Sequence, residues 1–244
     1  MKGTTKMKFE KEGYLYFPEF LSISEIDTIK SKLNEIVDNK LHEIPSAHYK
    51  FEDAANKKGI KMIQDLQLYD PFFEKILLES KFSALATALL GESVIGKTVE
   101  FFNKPAKIGK GTPPHQDGYY FMLDPMSAVT FWVALEEVDQ NNGWVSYVKG
   151  SHLNGVRTHG RSGTIGFSQE ILDFGTPSDL ENEEFIATKP GDVLVHHALT
   201  IHRAAPNTSL DRSRKALGLI YFGASAKEDL DAKKAYLASL NKID

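Results

Sequence analysis

The stretch Lys189-Pro-Gly-Asp-Val-Leu-Val-His196-His197-Ala-Leu-Thr-Ile-His202 is typical of a β-protein. Its Pro-Gly-Asp segment has the composition of a tight turn. Residues 193–197 are mainly Val and Leu with two histidines, which favours a strand bounded by that turn. A short bend then leads to His202. The stretch therefore predicts a turn, a strand and a bend that ends on a histidine.

The chain after Gly91 shows the same pattern of strands and turns. Short segments rich in Val, Ile, Phe, Tyr and Thr alternate with turns of Gly, Pro, Asn and Asp. The candidate strands are 93–103, 115–121, 127–136, 144–149, 185–189, 192–197 and 215–223. They are too many and too closely spaced for a repeat of strand, helix and parallel strand, which favours an antiparallel sandwich or barrel. A jelly roll fits best. A Gly-rich stretch, 155–166, and an acidic stretch, 173–184, indicate a long excursion between strands, which is typical of a loop that covers an active site.

The N-terminal third contains two amphipathic patterns. In residues 22–40, apolar side chains recur at three- and four-residue steps, and Ser22 with Glu25 fits a capping box. A second helical pattern runs from Pro71 to Leu90, and Gly91 is placed to end it. We therefore expect one domain over 1–244, with mainly helical support in 1–92, a β-core in 93–225 and a C-terminal helix in 226–244.

Composition limits the classes of partner. The 244 residues have near-average hydrophobic and charged fractions, and a net charge of −4 with both signs interspersed. No basic face indicates nucleic acid and no polybasic patch indicates a membrane, so we expect a small-molecule substrate. Residues 1–11 are polar and no apolar run is long enough to span a bilayer, which predicts a cytoplasmic location. The sequence does not indicate an oligomeric state.

The segment His115-Gln116-Asp117 is the strongest local signal for a metal site. The chain has no cysteine, so a metal must be held by His, Asp, Glu or backbone oxygen. On a strand, residues i and i+2 face the same side, so the imidazole and the carboxylate would point together. A second histidine from a distant strand would complete a set of two histidines and one carboxylate, which leaves three positions open on iron. The alternative is a histidine bonded to a turn carboxylate in an exposed loop.

Several segments resemble the phytanoyl-CoA dioxygenase family of Fe(II)/2-oxoglutarate oxygenases, and they appear in family order over most of the chain. The clearest is Gly-Asp-Val-Leu-Val-His-His, a bend, then His202-Arg-Ala-Ala-Pro-Asn-Thr-Ser209 with a close arginine. The others are Gly13-Tyr-Leu-Tyr-Phe-Pro-Glu-Phe-Leu, His115-Gln-Asp117 and Asn142-Gly143 followed by Gly150-Ser151-His152.

The resemblance implies a double-stranded β-helix, a cupin-like jelly roll, with Fe(II) at its open end. His115, Asp117 and His202 would be the iron ligands, and Arg214 would anchor 2-oxoglutarate. The implied reaction is oxidative decarboxylation of 2-oxoglutarate by O2, coupled to oxidation of a second substrate. The spacing to Arg214 differs slightly from the family pattern, so Arg212 remains a rival anchor.

Residue chemistry agrees with these roles. A guanidinium matches the remote carboxylate of 2-oxoglutarate with two parallel hydrogen bonds. Thr130 and Trp132 share one face of a strand and are candidates to line the co-substrate pocket, with ordinary barrel core as the alternative. His196 and His197 are rival metal ligands, because one of them must point inward. Lys104 is expected to be solvated.

The outcome of the reaction is predicted from Asp117. Iron halogenases that resemble this family have a small residue where the carboxylate sits, so a retained Asp117 indicates hydroxylation. Desaturation and oxidative cyclisation use the same cofactors and stay open, and a metal-binding barrel without catalysis is a remote alternative.

Substrate contacts are less sharply predicted. Tyr119 and Tyr120 follow the ligands and could face substrate, although an aromatic residue at a strand end is often core. Arg157, His159 and Arg161 form a cationic cluster that could meet an anionic substrate, with a solvated loop as the alternative.

Overall fold

A computed structural model describes residues 3–240, which form helices around two main antiparallel sheets, with two further sheets of two strands each. The α-helices are α1 (Gly3–Glu12), α2 (Ile23–Glu35), α3 (Pro71–Leu78), α4 (Lys81–Leu90), α5 (Gly118–Phe121), α6 (Pro177–Asn182) and α7 (Leu230–Leu240). The strands are β1 (Tyr14–Phe17), β2 (Tyr49–Asp53), β3 (Lys58–Ile63), β4 (Val94–Lys104), β5 (Thr112–His115), β6 (Leu123–Asp124), β7 (Ala128–Ala134), β8 (Val145–Val148), β9 (His159–Thr164), β10 (Phe167–Ile171), β11 (Glu183–Ile186), β12 (Val193–His197), β13 (His202–Ala204), β14 (Arg214–Gly223) and β15 (Lys227–Glu228).

The larger sheet has seven strands in the order β1-β12-β7-β14-β4-β3-β2, and the smaller has four in the order β11-β8-β13-β5. Every pairing within them is antiparallel. Apart from the consecutive strands β2, β3 and β4, the strands that pair are distant in sequence, which is the connectivity of a jelly roll, and the antiparallel pairing excludes a parallel α/β sheet. The predicted double-stranded β-helix is confirmed.

Helices of the N-terminal third cover the outer face of the larger sheet. The ring of Phe82 on α4 packs edge-on against Phe131 on β7, with 5.4 Å between centroids. Both side chains are buried in the main hydrophobic cluster, which α2, α3 and the sheet share. Because this face is filled with apolar side chains, polar side chains of the sheet that are not at its rim point to the opposite, inner face.

Two predicted helices differ in their bounds. The capping box of Ser22 and Glu25 forms, but α2 ends at Glu35 and a π-helical turn, Ile36–Lys40, follows it. The single helix predicted from Pro71 to Leu90 is wrong, because α3 and α4 are separate helices. The side chain of Ser80 accepts a hydrogen bond from Phe82 N and so starts α4. Gly91 ends it in the left-handed conformation, as predicted.

Strands also occur where none was predicted. Helices predominate in residues 3–92, yet β1, β2 and β3 also lie there and extend both edges of the larger sheet. The C-terminal helix is observed as α7, but residues 226–229 of its predicted range precede the helix and include β15, and residues 241–244 lie outside the described residues. Across residues 3–240, no helix has the length and apolar character needed to cross a bilayer.

Candidate active site

His115 and His202 are brought together by strand pairing. His115 ends β5 and His202 begins β13, and the two are direct partners in the register of the smaller sheet. Cross-strand partners lie close, and the two ring centroids are 4.2 Å apart. The two histidines are 87 positions apart in the sequence, but pairing of neighbouring strands places their imidazoles side by side.

Both imidazoles present the same nitrogen to the cavity. Nδ1 of His115 donates to the carbonyl of Pro113 at 2.8 Å, and Nδ1 of His202 donates to the carbonyl of Thr200 at 3.0 Å. A carbonyl only accepts, so these bonds fix the tautomer and leave each Nε2 with a free lone pair. Each Nε2 lies 3.6 Å from Oδ1 of Asp117.

Asp117 reaches the histidines from a different local structure than predicted. The strand expected over 115–121 is wrong beyond His115: β5 stops there, and Asp117 is in the right-handed helical region (φ −57°, ψ −35°) as the residue that precedes α5. The alternation of a strand therefore does not place its carboxylate. The turn into α5 does, and it aims Oδ1 at the two Nε2 atoms.

The second oxygen of Asp117 is held by two side chains. Oδ2 accepts a hydrogen bond from Oγ1 of Thr130 at 2.6 Å and one from Nε2 of His196 at 3.1 Å. Nδ1 of His196 in turn lies 3.1 Å from the hydroxyl of Tyr147, which donates to it. Because these two hydrogen bonds fix Oδ2, Oδ1 is the carboxylate oxygen that faces Nε2 of His115 and of His202. His196 thus orients the carboxylate.

The protonation states suit metal binding. Burial opposes charge on Asp117, but the imidazoles of His202, His115 and His196 outweigh it and hold the pKa of Asp117 well below its usual value. Burial and the neighbouring His115 and His196 lower the pKa of His202 well below its usual value. An ionised carboxylate and a neutral imidazole are the forms that coordinate metals.

One atom from each of His115, Asp117 and His202 lies within 4.8 Å of the other two. Two nitrogens and one oxygen, all on one side of the cavity, fit a divalent iron that keeps three further positions. His196 is not part of this group, since its Nε2 is occupied by Asp117. His197 points away from it, and its Nδ1 accepts from Leu199 N at 3.1 Å.

Arg214 lies in the same cavity as a buried cation. Its side chain is at the start of β14, 4% exposed, with the guanidinium 5.5 Å from the ring centroid of Trp132. Nε and Nη1 have no hydrogen-bond partner among the described residues. Burial lowers the pKa of Arg214 to about 10. A buried guanidinium with two unused donors is the feature that an incoming carboxylate would satisfy.

Arg212, the rival anchor, is committed elsewhere. Its Nη2 binds both carboxylate oxygens of Asp139, at 3.0 and 2.8 Å. Within residues 3–240 it is not among the side chains that line the cavity. The structure therefore places Arg214, and not Arg212, beside the candidate metal ligands.

The cavity between the sheets has a volume of about 410 Å³. Thr130, Trp132 and Tyr120, all named from the sequence, line it. Lys104 also lines it and is 3% exposed, so the expectation of a solvated lysine is wrong. Its ammonium donates to the carbonyl of Lys110 and to Thr112, and burial and the nearby Arg214 lower its pKa well below the usual value.

Sequence reasoning missed a row of side chains on β4. Thr98, Glu100, Phe102 and Lys104 all line the cavity. Their spacing of two residues is the available signal, because alternate residues of a strand share one face. The signal was overlooked because two of these residues are charged. Polar residues at every second position of a strand usually indicate the face that is exposed to solvent.

Two members of the predicted cationic cluster, Arg157 and His159, make structural contacts in the covering loop. Arg157 pairs with Asp173 at 2.8 Å and with Asp179 at 2.7 Å. The ring of His159 stacks on that of Tyr119, with centroids 4.2 Å apart. Among the described residues, none of Arg157, His159, Arg161 and Tyr119 is in the cavity lining.

The covering loop itself does reach the site. Its strands β9 and β10 form a hairpin, and Gly166 and Phe167 at the hairpin tip line the cavity. The Phe167 ring lies 5.4 Å from that of His115. The predicted cover is therefore present, with apolar rather than cationic residues over the ligands.

Comparison with known proteins gives a consistent result. A model of the family described as phytanoyl-CoA dioxygenase matches residues 9–216. A phytanoyl-CoA dioxygenase of Arabidopsis thaliana is 28% identical over 246 residues, which cover 86% of this chain and 85% of that protein.

Solved structures share the fold. EctD from S. alaskensis, in complex with 2-oxoglutarate and 5-hydroxyectoine, gives a TM-score of 0.76 at 18% identity and covers 92% of this chain and 77% of that one. SnoK, a non-heme alpha-ketoglutarate-dependent carbocyclase from nogalamycin biosynthesis, gives 0.74 at 23% identity and covers 99% and 91%.

Proposed function

This chain belongs to the phytanoyl-CoA dioxygenase family of iron- and 2-oxoglutarate-dependent dioxygenases, and we propose that it hydroxylates an unactivated C–H bond of a small metabolite, with release of succinate and CO2. The observation that carries the proposal is the convergence of His115, Asp117 and His202 in one cavity with the unsatisfied guanidinium of Arg214.

Each residue has a distinct part in this function. His115, His202 and Asp117 would hold Fe(II), while Thr130 and His196 fix the carboxylate of Asp117. Arg214 would bind the remote carboxylate of 2-oxoglutarate, with Trp132 beside it. The bound iron, with 2-oxoglutarate and O2, supplies the oxidising power for attack on a C–H bond. The chain itself positions the reactants and keeps water away from them with Phe167 and Tyr120.

A metal-binding barrel without catalysis explains less of the structure. Burying a guanidinium without a partner is unfavourable by several kcal/mol unless something compensates it. Arg214 has two buried donors without partners, and its neighbour Lys104 is a second buried basic group. A carboxylate ligand beside the metal removes this penalty, and 2-oxoglutarate is such a ligand.

Hydroxylation is our choice of outcome because Asp117 is retained as the carboxylate ligand. A structure of the similarly folded EctD contains 5-hydroxyectoine, which is a hydroxylated compound. SnoK, with the same fold, is named a carbocyclase, so oxidative cyclisation is the second candidate and desaturation the third. Product mass separates them, because hydroxylation adds one oxygen whereas desaturation and ring closure remove two hydrogens.

The metal and co-substrate sites are tested together by spectroscopy. Anaerobic addition of Fe(II) and 2-oxoglutarate to the wild-type protein should produce a weak visible charge-transfer band, and admission of O2 should yield succinate. His115→Ala and Asp117→Ala should abolish both signals. Arg212→Met is the matched control, because this side chain lies outside the cavity and should leave both in place. A normal band in both ligand variants would reject the proposed ligand set.

A further inference from the structure

Glu100 is a carboxyl group of the cavity that the roles above do not use. It lies in the middle of β4, and its neighbour across the sheet on β14 is Gly218, followed on β7 by Trp132. Gly218 contributes no side chain, and the ring of Phe102 from β4 lies over it. The side chain of Glu100 is on the same face of the sheet as that of Trp132 and lines the cavity beside the co-substrate region.

Glu100 has little to satisfy it. Its one described hydrogen bond comes from Nε2 of Gln64, at a long 3.3 Å. No Lys, Arg or His within residues 3–240 makes an ion pair with it. Two lysines of the cavity already have carboxylates of their own: Lys61 pairs with Glu52 at 3.2 Å and Lys97 with Glu228 at 3.1 Å. A partly buried carboxylate with one long hydrogen bond and no ion pair keeps acceptor positions that a ligand's donors would satisfy.

The local field is negative. Burial, together with the charges of Asp117 and Asp65, raises the pKa of Glu100 to about 7, although the hydrogen bond from Gln64 acts in the opposite direction. The other end of β4 has the opposite character, since Lys104 there pairs across the strands with Arg214. Four residues of strand separate Glu100 from Lys104, which is about 13 Å at 3.3 Å per residue. The cavity thus has a basic end, which suits a carboxylate. At a distance from that end it has an acidic group, which suits a hydrogen-bond donor or a cationic group of a ligand.

We propose that Glu100 and Gln64 form the recognition site for the primary substrate, and that the group they bind is an ammonium. The inference rests on the proposed function and gives it a substrate class, an amine. It replaces the expectation of an anionic substrate, which depended on Arg157, His159 and Arg161. An ammonium offers three donors, which match the free acceptor positions of Glu100 and the amide oxygen of Gln64. Phe102, Phe167 and Trp132 line the space between and suit an apolar body.

The test uses three probes of one shape: 2-phenylethylamine, 2-phenylethanol and 3-phenylpropanoate. Each is titrated into anaerobic wild-type protein loaded with Fe(II) and 2-oxoglutarate, and binding is followed by the change in the visible band and by thermal shift. The amine should bind at least tenfold more tightly than the alcohol, and the carboxylate should bind least. Glu100→Gln should weaken amine binding by about 10- to 100-fold, which corresponds to about 1.4–2.8 kcal/mol.

Glu228→Gln is the matched control, since it removes a carboxylate of the same cavity that already has Lys97 and Lys233 as partners. It should keep the preference for the amine. Equal or tighter binding of the alcohol or the carboxylate, or no binding of any probe, would overturn the proposal. So would loss of the visible band in Glu100→Gln, because Glu100 would then act on the co-substrate. Absence of the band in the wild type counts against the proposed function instead, and the thermal shifts then still decide the amine preference.

Discussion

Replacing Arg214 by Met should change the stability of the protein in opposite directions with and without 2-oxoglutarate. Two donors of the guanidinium are buried without partners. Each such donor destabilises the folded protein by about 1–3 kcal/mol. We take the lower end of this range, which gives about 2 kcal/mol for the two donors, because water can enter a polar cavity. Loss of the contact with Trp132 offsets about 0.5–1 kcal/mol. The ligand-free Arg214→Met protein should therefore be more stable by about 1 kcal/mol, or roughly 2–4 °C in Tm for a chain of this size.

The ligand-bound comparison has the reverse sign. At a 2-oxoglutarate concentration of about 100 times Kd, the wild-type protein gains about 2.7 kcal/mol, or roughly 5–11 °C. Removing one partner of a buried charged pair weakens binding by about 2–5 kcal/mol. At the same concentration Arg214→Met should then gain less than about 1 kcal/mol, a rise of at most about 3 °C.

The assay is a thermal melt of both proteins under anaerobic conditions with Fe(II), with and without 2-oxoglutarate. Arg212→Met is the control: it removes an arginine two residues away that is bound to Asp139 at the surface. Loss of an exposed ion pair changes stability by about 0–1 kcal/mol, and the ligand-induced rise should stay at its wild-type value. A full rise in Arg214→Met, or its loss in Arg212→Met, would show that Arg214 is not the anchor.

Two further predictions concern residues around the ligands. Thr130→Val removes the 2.6 Å hydrogen bond to Asp117 while keeping the shape of the side chain. The affinity for Fe(II), measured by metal titration of the visible band, should therefore fall by about 10-fold or more. An unchanged affinity would show that Thr130 does not position the carboxylate. His197 has a pKa lowered to about 4, mainly by burial and further by His152 and His196, whereas in the unfolded chain it is protonated below about 6.5. The folded state therefore binds this proton less tightly, and the free energy of unfolding decreases as the pH falls from about 6.5 to about 4. In urea melts of the metal-free protein, His197→Asn should lose less stability over this pH range than the wild type. Equal losses in the two proteins would contradict this assignment.

The identity of the candidate ligands could be predicted because the signal is local. His115 and Asp117 are two residues apart, and His202 follows a recognisable strand and bend. The route by which Asp117 reaches the cavity could not be predicted from alternation alone. Two residues after His115 the backbone has already turned toward α5, and only the packed structure shows that this turn brings Oδ1 to the histidines.

The choice between Arg212 and Arg214 shows a different limit. The two residues have the same chemistry and lie two positions apart, so a sequence pattern assigns them to the same side of a strand. The structure separates them because β14 begins at Arg214, while Arg212 lies in the preceding loop within reach of Asp139. A partner 73 residues away decides which cation remains free for a ligand.

Charged residues of the interior were the least predictable. Arg157 looked available in the sequence, but Asp173 and Asp179 fold back onto it. Lys104 and Glu100 looked solvated or unremarkable, but β14 and β3 place them in the cavity. Whether a charge is exposed, paired or held for a ligand depends on long-range partners, which composition and spacing do not contain.

The sequence by itself determined the fold class, the family and the three residues whose atoms meet in the cavity. The signals for them are local, because strand alternation, turn residues, the His-x-Asp segment and the segment around the distal histidine each occupy only a few consecutive residues. Tertiary structure alone decided which cations and carboxyls are left without partners at the inner face of the sheet. The reason is physical: backbone preference and side-chain chemistry are local properties, whereas the desolvation and pairing of a charge depend on every group that folding brings around it.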